Sequence, residues 1–266
     1  MVNIGFIGAG NMGSAIMKGI SNSKLSAEIK LFAADTDAEK IKNLADYGVT
    51  PCDGAASLVK TCKYVFLAVK PQVLESVLET ISAEVTENSV LVSIAAGISG
   101  EFIQSKTISN AKVVLVMPNT PLLLGEGASA LAKVAPTSDN EFKMICDIFS
   151  ACGEIAVISK NKMKEIIAIN GSSPAFIYLF AKGFVDYAKS VDIDENVAKT
   201  LFAKTLIGSA KMITNSGNSI DELIKMVSSP GGTTLKGLDE LYAGNLVQVV
   251  EKACDSCTKR AYELSK

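Results

Sequence analysis

Residues 2–13, with the sequence VNIGFIGAGNMG, indicate the fold more clearly than any other segment of the chain. The first half of this segment, Val2–Ile7, is an apolar run that predicts a buried strand, and Asn11–Ser21 has the apolar spacing of an amphipathic helix. Between the two lie Gly8, Gly10 and Gly13 in GxGxxG spacing. That spacing is a weak signal alone, but at a strand–helix junction it is typical of a dinucleotide-binding turn.

Each glycine has a physical role in such a turn. Gly8 permits the tight turn, Gly10 lets a pyrophosphate approach the backbone, and Gly13 lets the helix pack on the strand. The unpaired amides at the helix start then face the phosphate charge. A glycine-rich turn without a ligand is the alternative, and the context argues against it. The cofactor-binding residues predicted here are Ile7, Gly8, Gly10, Asn11, Met12 and Gly13.

A carboxylate follows the second predicted strand, Ile29–Ala34, where the adenosine ribose of a dinucleotide would lie. Asp35 at this point can accept hydrogen bonds from ribose hydroxyls and would repel a 2′-phosphate. No arginine follows, although Lys40 and Lys42 are near. This interpretation favours NADH rather than NADPH as the cofactor. The alternative is that Asp35 only caps the helix predicted at Asp37–Tyr47.

Three later strands end at the same predicted edge of the sheet, and ligands of open α/β sheets bind outside the carboxyl ends of the strands. Lys70 follows one of these strands and is well placed for a cofactor hydroxyl or phosphate. The small residues 95–97 come at the end of the strand predicted at Val90–Ile94. The segment 117–121 comes at the end of the strand predicted at Val113–Met117. The cofactor-binding residues predicted from these ends are Ala68, Val69, Lys70, Pro71, Ala95, Ala96, Gly97 and Asn119.

The first 160 residues alternate short apolar runs with amphipathic stretches. Continuous apolar runs are typical of strands buried on both faces, as in a parallel sheet. The alternation predicts an α/β fold: a Rossmann-type doubly wound sheet that forms a dinucleotide-binding domain at residues 1–160. The predicted strands are Val2–Ile7, Ile29–Ala34, Tyr64–Val69, Val90–Ile94 and Val113–Met117, and the clearest helices are Asn11–Ser21, Asp37–Tyr47 and Pro71–Ile81.

Residues 161–266 predict an all-α domain. Phe176–Ala188 is apolar nearly all round and therefore predicts a buried central helix. Two further apolar stripes run over residues 198–213 and 246–264. Several striped helices have more apolar surface than a small bundle hides, so we expect self-association through this domain.

Composition excludes several classes of function. The 266 residues carry a formal net charge of −2 and no basic tract, which argues against nucleic acid as a partner. There is no histidine, which excludes a histidine general base and histidine-ligated zinc. Every apolar run is interrupted well before the roughly 20 residues that span a membrane. Because the chain opens on a strand rather than a leader, we expect a cytoplasmic protein whose cysteines are reduced.

The segment Ser228–Thr234 reads Ser-Ser-Pro-Gly-Gly-Thr-Thr and directly precedes a helix predicted at Leu235–Leu241. Its glycines and threonines supply flexible backbone, amides and hydroxyls at a helix N-terminus, which is an anion-binding geometry. It needs no arginine, in a chain whose single arginine is Arg260. A plain helix cap would require only one of these residues. Asn170–Pro174 resembles a second such turn, but there a helix cap is the favoured interpretation.

Cys254 and Cys257 have CxxC spacing, which raises the question of a metal or redox site. Both lie on the apolar stripe of the last helix, and no histidine can complete a metal site. We therefore interpret them as packing residues and expect no metal.

Taken together, these segments resemble those of the pyrroline-5-carboxylate reductase family. The resemblance runs in order over about residues 2–264, and its most specific element is Ser229–Thr234, since other Rossmann reductases lack this stretch. One departure is the segment 35–37, Asp-Thr-Asp, where the family usually has an arginine or a serine cluster. The other segments that carry the resemblance are Gly8–Gly13, Ala68–Gln72, Ser93–Gly97, Met117–Pro121 and Gly171–Ala175.

The resemblance implies reduction of 1-pyrroline-5-carboxylate to L-proline with NADPH or NADH, the last step of proline synthesis. It implies a homodimer through the C-terminal helices, often assembled into a ring of dimers. It also implies that the hydroxyl of Thr234 acts catalytically at the ring nitrogen while neighbouring amides hold the carboxylate. The substrate-binding residues that it implies are Ser229, Gly231, Gly232, Thr233 and Thr234.

Two other functions fit a Rossmann domain followed by helices. A β-hydroxyacid dehydrogenase needs a catalytic lysine, and Lys182 is the only lysine in the apolar helix Phe176–Ala188. A single lysine of this kind is commonly a surface residue. A non-catalytic NAD(P)-sensing protein would bind the cofactor and reduce no imine, since fold does not dictate function. The intact Gly231–Thr234 segment argues against this second alternative.

Overall fold

The computed structural model describes residues 1–264, which form alternating strands and helices followed by helices alone. Its strands are β1 (Val2–Ile7), β2 (Ile29–Ala34), β3 (Val49–Pro51), β4 (Tyr64–Leu67), β5 (Val90–Ser93), β6 (Lys112–Pro118), β7 (Gly127–Val134) and β8 (Gly153–Val157). Its helices are α1 (Asn11–Ser21), α2 (Ala38–Lys42), α3 (Ala55–Thr61), α4 (Pro71–Ile81), α5 (Gly100–Lys106), α6 (Asp139–Ser150), α7 (Ser173–Ser190), α8 (Glu195–Asn215), α9 (Ile220–Met226), α10 (Thr233–Ala243) and α11 (Leu246–Leu264). A π-helix at Ile167–Ser172 leads into α7.

The eight strands form one sheet in the order β3-β2-β1-β4-β5-β6-β7-β8. From β3 to β6 the neighbours are parallel. β7 then pairs antiparallel with β6, and β8 pairs parallel with β7. The strand order reverses between β1 and β4, which is the place where doubly wound sheets bind ligands. The predicted Rossmann-type sheet is therefore confirmed.

Both faces of the sheet are covered by apolar side chains, and β4 shows how. Phe66 belongs to the core on one face, and Val65 and Leu67 belong to the core on the other; all three side chains are 0% exposed. Phe66 stacks on Phe6 of β1, with ring centroids 4.4 Å apart. Burial of a side chain of this size contributes about 1.5–3 kcal/mol, which explains why the strand sequences are continuously apolar.

Several elements differ from those predicted. The helix predicted at Asp37–Tyr47 is divided, because α2 ends at Lys42 and a short 3-10 helix covers Ala45–Tyr47 before Gly48, whose φ is +71°. β4 and β5 end at Leu67 and Ser93, earlier than their apolar runs suggest. β7 was not predicted because its alternate alanines are poor strand formers. Its conformation comes from pairing with β6.

The chain divides into two compact units. The first comprises Met1–Pro174 with the end of α11 from Ser256 onward, and it contains the whole sheet. The second, Ala175–Asp255, is helical. The sequence-based boundary between residues 160 and 161 stays a prediction.

The second unit exposes much of its apolar surface. Phe184 of α7 stacks on Phe202 of α8, with ring centroids 4.2 Å apart. Tyr178 and Leu179 are nevertheless 63% and 71% exposed, so the single chain alone does not give the buried central helix that was predicted. The reason is that the single chain does not cover every face of α7. Exposed patches of this extent mark interaction surfaces. None of the described helices has both the length and the apolar character needed to cross a membrane.

Glu141, in the first turn of α6, is a buried carboxylate with several partners. Its side chain is 8% exposed, Lys112 Nζ donates to it at 2.8 Å, and Lys63 Nζ lies 3.3 Å away. The amide and hydroxyl of Ser138 also donate to it in a capping box. Burial alone would raise the pKa of Glu141, but these partners outweigh it and lower the pKa to about 2.

We expect Glu141→Gln to make the fold less sensitive to acid. A carboxylate whose pKa is lowered on folding stabilises the fold above its unfolded pKa of about 4.3, and that stabilisation is lost as the pH falls towards the folded pKa. Between about pH 5 and pH 2.5, the variant should lose less stability than the wild-type chain, by an amount on the order of 2 kcal/mol. Thermal unfolding across this pH range measures the effect. Glu222→Gln alters an exposed capping box and is the matched control; an equal change in both variants would contradict the account.

Candidate active site

The glycine-rich turn joins the carboxyl ends of three neighbouring strands. The amide of Gly8 donates to the carbonyl of Ala34 at 2.8 Å, and the amide of Ala68 donates to the carbonyl of Ile7 at 2.9 Å. Gly8 has a φ of +104°, and a Cβ at this position would lie 2.5 Å from the carbonyl oxygen of Ala68. Both strain and close packing therefore require glycine here.

Gly13 and Gly10 are required for different reasons. A Cβ at Gly13 would lie 2.6 Å from the carbonyl oxygen of Gly8, so this glycine lets α1 pack against the turn. Gly10 has a φ of −70°, and no atom lies within 4 Å of where its Cβ would be. Neither strain nor packing within the chain explains Gly10. The open space lies at the N-terminus of α1, which no side chain caps, so room and hydrogen-bond donors for an anion are both present.

Asp35 contacts this turn from the end of β2. Its Oδ2 accepts the amide of Ala9 at 2.7 Å, its Oδ1 accepts the amide of Asp37 at 2.9 Å, and Lys40 Nζ lies 3.5 Å from Oδ1. Burial would raise the pKa of Asp35, but the two amides and Lys40 lower it on balance. Asp37 is the residue that caps α2, by accepting the amide of Glu39, so the alternative in which Asp35 is the cap is wrong.

A cavity of about 290 Å³ opens at the carboxyl ends of β5 and β6. The turn 95–97 lines it, and Gly97 in that turn has a φ of +80°. Leu115 and Met117 of β6 line its sheet side. The ion pair of Lys160 with Glu101, Lys164 and, from the end of α11, Tyr262 also line it. The cavity thus combines an apolar floor with charged side chains of both signs and a hydroxyl.

A second cavity, of about 780 Å³, begins at Gly10 and Asn11 and extends along α1. Lys18 and Lys40 line it, as does the 3-10 helix Thr120–Leu124. Lys40 is paired with Asp35 and Asp37, whereas the uncapped N-terminus of α1 leaves backbone amides that suit a phosphate group.

The structure brings the residues predicted as cofactor-binding to one edge of the sheet in the first unit. Ile7 is the last residue of β1, and the other residues follow the strands: Gly8, Gly10, Asn11, Met12 and Gly13 after β1, Asp35 after β2, Ala68, Val69, Lys70 and Pro71 after β4, Ala95, Ala96 and Gly97 after β5, and Asn119 after β6. Lys70 is exposed and immediately precedes α4. The role of each in binding stays a prediction.

Asn119 and Asn170 form a contact that the sequence did not indicate. Asn119 Nδ2 donates to Asn170 Oδ1 at 3.2 Å, and Asn119 Oδ1 accepts the amide of Ala128 at 2.9 Å. Asn170 belongs to the π-helix Ile167–Ser172, so the interpretation of Asn170–Pro174 as a helix cap is wrong. The sequence does contain one sign of an unusual position: Asn170 follows the apolar residues 166–169, and helix propensity disfavours asparagine in such a run.

The segment Ser229–Thr234 lies in the second unit and leads from α9 into α10. Gly231 has a φ of +75°, and the amide of Gly232 donates to the carbonyl of Ser229 at 2.9 Å. α10 begins at Thr233, two residues earlier than predicted, so Thr233 and Thr234 form its exposed first turn. No side chain caps this helix. The segment therefore presents backbone amides and hydroxyls at an open helix N-terminus.

Lys182, the lysine that a hydroxyacid dehydrogenase would use, is a surface residue in the single chain. It forms an ion pair with Asp186 along α7, and its side chain is 65% exposed. Such pairs are solvated and weak, unlike a desolvated catalytic lysine. Cys254 and Cys257 are partly buried on α11. Across residues 1–264, no group of three or more cysteine, aspartate or glutamate side chains is arranged to hold a metal.

Comparison with known proteins gives consistent relatives over the whole chain. One family model, described as pyrroline-5-carboxylate reductase dimerisation, matches residues 160–264, and another, NADP oxidoreductase coenzyme F420-dependent, matches residues 3–97. Pyrroline-5-carboxylate reductase of Methanosarcina acetivorans is 34% identical over 264 residues, which are 99% of this chain and 98% of that protein. The structure of the Coxiella burnetii reductase covers 100% of this chain and 99% of its own, with a TM-score of 0.91 and 28% identity. The Plasmodium falciparum enzyme with NADP bound covers 100% and 98%, with a TM-score of 0.88 and 29% identity.

Proposed function

The chain belongs to the pyrroline-5-carboxylate reductase family, and from this premise we infer that it reduces 1-pyrroline-5-carboxylate to L-proline with a nicotinamide dinucleotide. The inference rests on the similarity to the pyrroline-5-carboxylate reductase of Methanosarcina acetivorans, which is 34% identical over 99% of the chain. The reaction adds a hydride to the imine carbon and a proton to the ring nitrogen. It is the last step of proline biosynthesis.

The residues around the glycine-rich turn fit a dinucleotide cofactor. The space beside Gly10 and the uncapped amides of α1 suit the pyrophosphate. When bound, NADPH or NADH supplies the hydride from its nicotinamide ring. We propose that the amides of Asn11 and Met12 hold the pyrophosphate and that the turn 95–97 holds the nicotinamide end. The cavity beside that turn supports the second assignment.

The substrate carboxylate is proposed to bind at Gly231–Thr234. The support is the open N-terminus of α10, where backbone amides can donate to an anion without an arginine. This suits a chain in which Arg260 is the single arginine. Ser229 holds the turn through its carbonyl, which accepts the amide of Gly232.

Thr234 is proposed as the catalytic residue. Its hydroxyl, in the first turn of α10, would orient the ring nitrogen or donate the proton that the nitrogen takes up. A cyclic imine is basic enough to arrive protonated, so the reaction suits a chain that has no histidine. The main task of the protein is then alignment, which can lower a barrier by about 7–11 kcal/mol.

The C-terminal helices form the homo-oligomer interface, as the dimerisation model over residues 160–264 indicates. We propose that dimers assemble further into a ring, which would cover more of the exposed apolar surface of the second unit. Native mass spectrometry gives the number of subunits. A mass of two chains at all concentrations would contradict the ring.

A cytoplasmic location is also proposed. All six cysteines are free thiols in the structure, although the chain has enough of them for three disulfides. Unpaired cysteines are typical of proteins from reducing compartments.

The test of the function is loss of absorbance of NADPH and NADH in the presence of 1-pyrroline-5-carboxylate, with detection of proline. A parallel assay offers small β-hydroxy acids with NADP and NAD. Proline formation supports the reductase. Oxidation of a hydroxy acid would instead support the dehydrogenase, and cofactor binding without turnover of either substrate would support a sensing protein.

Cofactor choice is proposed to depend on charge after β2. Residues 35–42 contain three carboxylates and two lysines, a net charge of −1, which opposes a 2′-phosphate. Asp37 is exposed, whereas Asp35 accepts a hydrogen bond from the glycine-rich turn.

We expect Asp37→Asn to raise kcat/KM for NADPH relative to NADH by about fivefold, because the substitution removes a repulsion of about 1 kcal/mol between the carboxylate and the 2′-phosphate. Initial rates with both cofactors measure the ratio. Asp46→Asn, which removes an exposed carboxylate in the 3-10 helix Ala45–Tyr47, is the control, and an unchanged ratio in Asp37→Asn would contradict the proposal.

A further inference from the structure

The antiparallel ladder between β6 and β7 ends where its backbone can no longer continue it. The last registered pair is Pro118 with Ser129, and proline has no amide hydrogen to donate. Beyond this pair, side chains take the place of the backbone. The amide of Ala128 donates to the side-chain oxygen of Asn119 rather than to a backbone carbonyl.

Asn170 completes this junction from the π-helix. Its Nδ2 donates to the carbonyl of Met117 at 2.6 Å and to the carbonyl of Ala128 at 3.0 Å. Its Oδ1 accepts from Asn119 Nδ2 at 3.2 Å. Because Nδ2 faces two carbonyl oxygens, only this amide orientation satisfies every group. Asn170 therefore joins β6 to β7 at the end of their backbone ladder.

Gly171, the next residue, leaves room for the side chain of Met117 because it has no Cβ. A Cβ at Gly171 would collide with the terminal methyl carbon of Met117. The side chain of Met117 thus packs directly on the backbone of the π-helix, while Met117 also lines the cavity beside the turn 95–97. π-helices occur frequently at functional sites because they move a short stretch of backbone out of regular helical register.

We propose that Asn170 is a positioning residue for the reduction: it fixes the backbone of Met117, and Met117 fixes the wall of the cavity beside the turn 95–97, which is proposed to hold the nicotinamide. This inference rests on the proposed function, in which the turn 95–97 holds the nicotinamide end. Asn170 does not touch the reacting atoms in this account. It acts through Met117. The side chain of Met117 is flexible, and it keeps one position because Asn170 binds its carbonyl and because Gly171 leaves room for its methyl group.

The test compares Asn170→Ser with the wild-type chain. Serine is too short to bridge the two carbonyls, so the wall at Met117 loosens. We expect kcat to fall about tenfold, because a small misplacement of reacting groups costs alignment, while the dissociation constant of NADPH stays within about twofold. NADPH deuterated at C4 should also give a larger isotope effect on kcat than in the wild-type enzyme, since hydride transfer has become slower relative to product release. Asn170→Asp, which places a carboxylate against two carbonyls, should lower kcat further.

Thr137→Val is the matched control. The hydroxyl of Thr137 donates to the carbonyl of Val113 at 3.0 Å, so this variant also removes a hydrogen bond between a side chain and a β6 carbonyl, but at the other end of the strand. It should lose stability without change in the isotope effect. The proposal is overturned if Asn170→Ser keeps wild-type kcat and isotope effect, or if Thr137→Val shows the same changes.

Failure of the proposed function itself would show in the wild-type chain, as absence of imine reduction. The role of Asn170 is then judged by the fluorescence of bound NADH, which reports the surroundings of the nicotinamide. A changed emission in Asn170→Ser but not in Thr137→Val supports the positioning role. An emission identical to that of the wild-type chain overturns it.

Discussion

Replacement of Gly10 by alanine is expected to weaken the binding of NADPH and NADH by about 100-fold, or roughly 2.7 kcal/mol, and to leave the fold intact. The methyl group would occupy the open space at the N-terminus of α1, where no atom lies within 4 Å of the Cβ position. A phosphate displaced from that space loses hydrogen bonds from backbone amides, and each charge-assisted bond contributes about 1.5–3 kcal/mol. Fluorescence titration with NADH and NADPH measures the loss.

Stability separates this effect from damage to the turn. The φ of −70° at Gly10 is accessible to alanine, so the unfolding midpoint of Gly10→Ala should stay within about 3 °C of the wild-type value. Gly13→Ala is the contrasting variant, because its Cβ would lie 2.6 Å from the carbonyl oxygen of Gly8. It should lose both stability and binding. Wild-type cofactor affinity in Gly10→Ala would contradict the assignment of this space to the pyrophosphate.

Thr234→Val is expected to lower kcat/KM for 1-pyrroline-5-carboxylate by about 100-fold, which is the lower range for loss of a group that transfers or directs a proton. Valine keeps the shape of threonine and removes only the hydroxyl. The hydroxyl is exposed in the first turn of α10, so the fold should not depend on it. Initial rates at varied substrate and saturating cofactor measure the effect.

Thr234→Ser is the matched control for this prediction. It keeps the hydroxyl and loses one methyl group, so this variant should keep most of the wild-type kcat/KM. Affinity for NADPH should be unchanged in both variants, because the proposed contacts of Thr234 are with the substrate. Full kcat/KM in Thr234→Val would remove Thr234 from the catalytic role and leave the backbone amides as the main contribution of this segment.

The sequence predicted those parts of the structure that local rules determine. The GxGxxG turn, β1, α1 and α4 lie where apolar periodicity, glycine spacing and Pro71 at a helix start indicate. The structure adds that the three glycines differ: Gly8 and Gly13 are required by packing within the chain, and Gly10 is not. Sequence spacing cannot make this distinction, since it depends on atoms contributed by Ala68 and by the turn itself.

The parts that the sequence did not predict depend on distant pairing. β7 is a strand because β6 lies beside it, although its alanines disfavour that conformation. Asn170 has no local signal for its partners, since the carbonyls of Met117 and Ala128 are more than forty residues away. The exposure of α7 likewise could not be read from its composition, because the same apolar sequence serves a helix buried in one chain and a helix buried between two.

The fate of deuterium tests most directly whether the chain transfers a hydride from the cofactor to 1-pyrroline-5-carboxylate. The full-length chain would be given 1-pyrroline-5-carboxylate with NADPH, and separately NADH, carrying deuterium at the transferable position of C4. We expect L-proline with one deuterium at C5, formed in amounts equal to the cofactor consumed. Consumption of cofactor without deuterated proline, or binding of cofactor without consumption, would contradict this expectation.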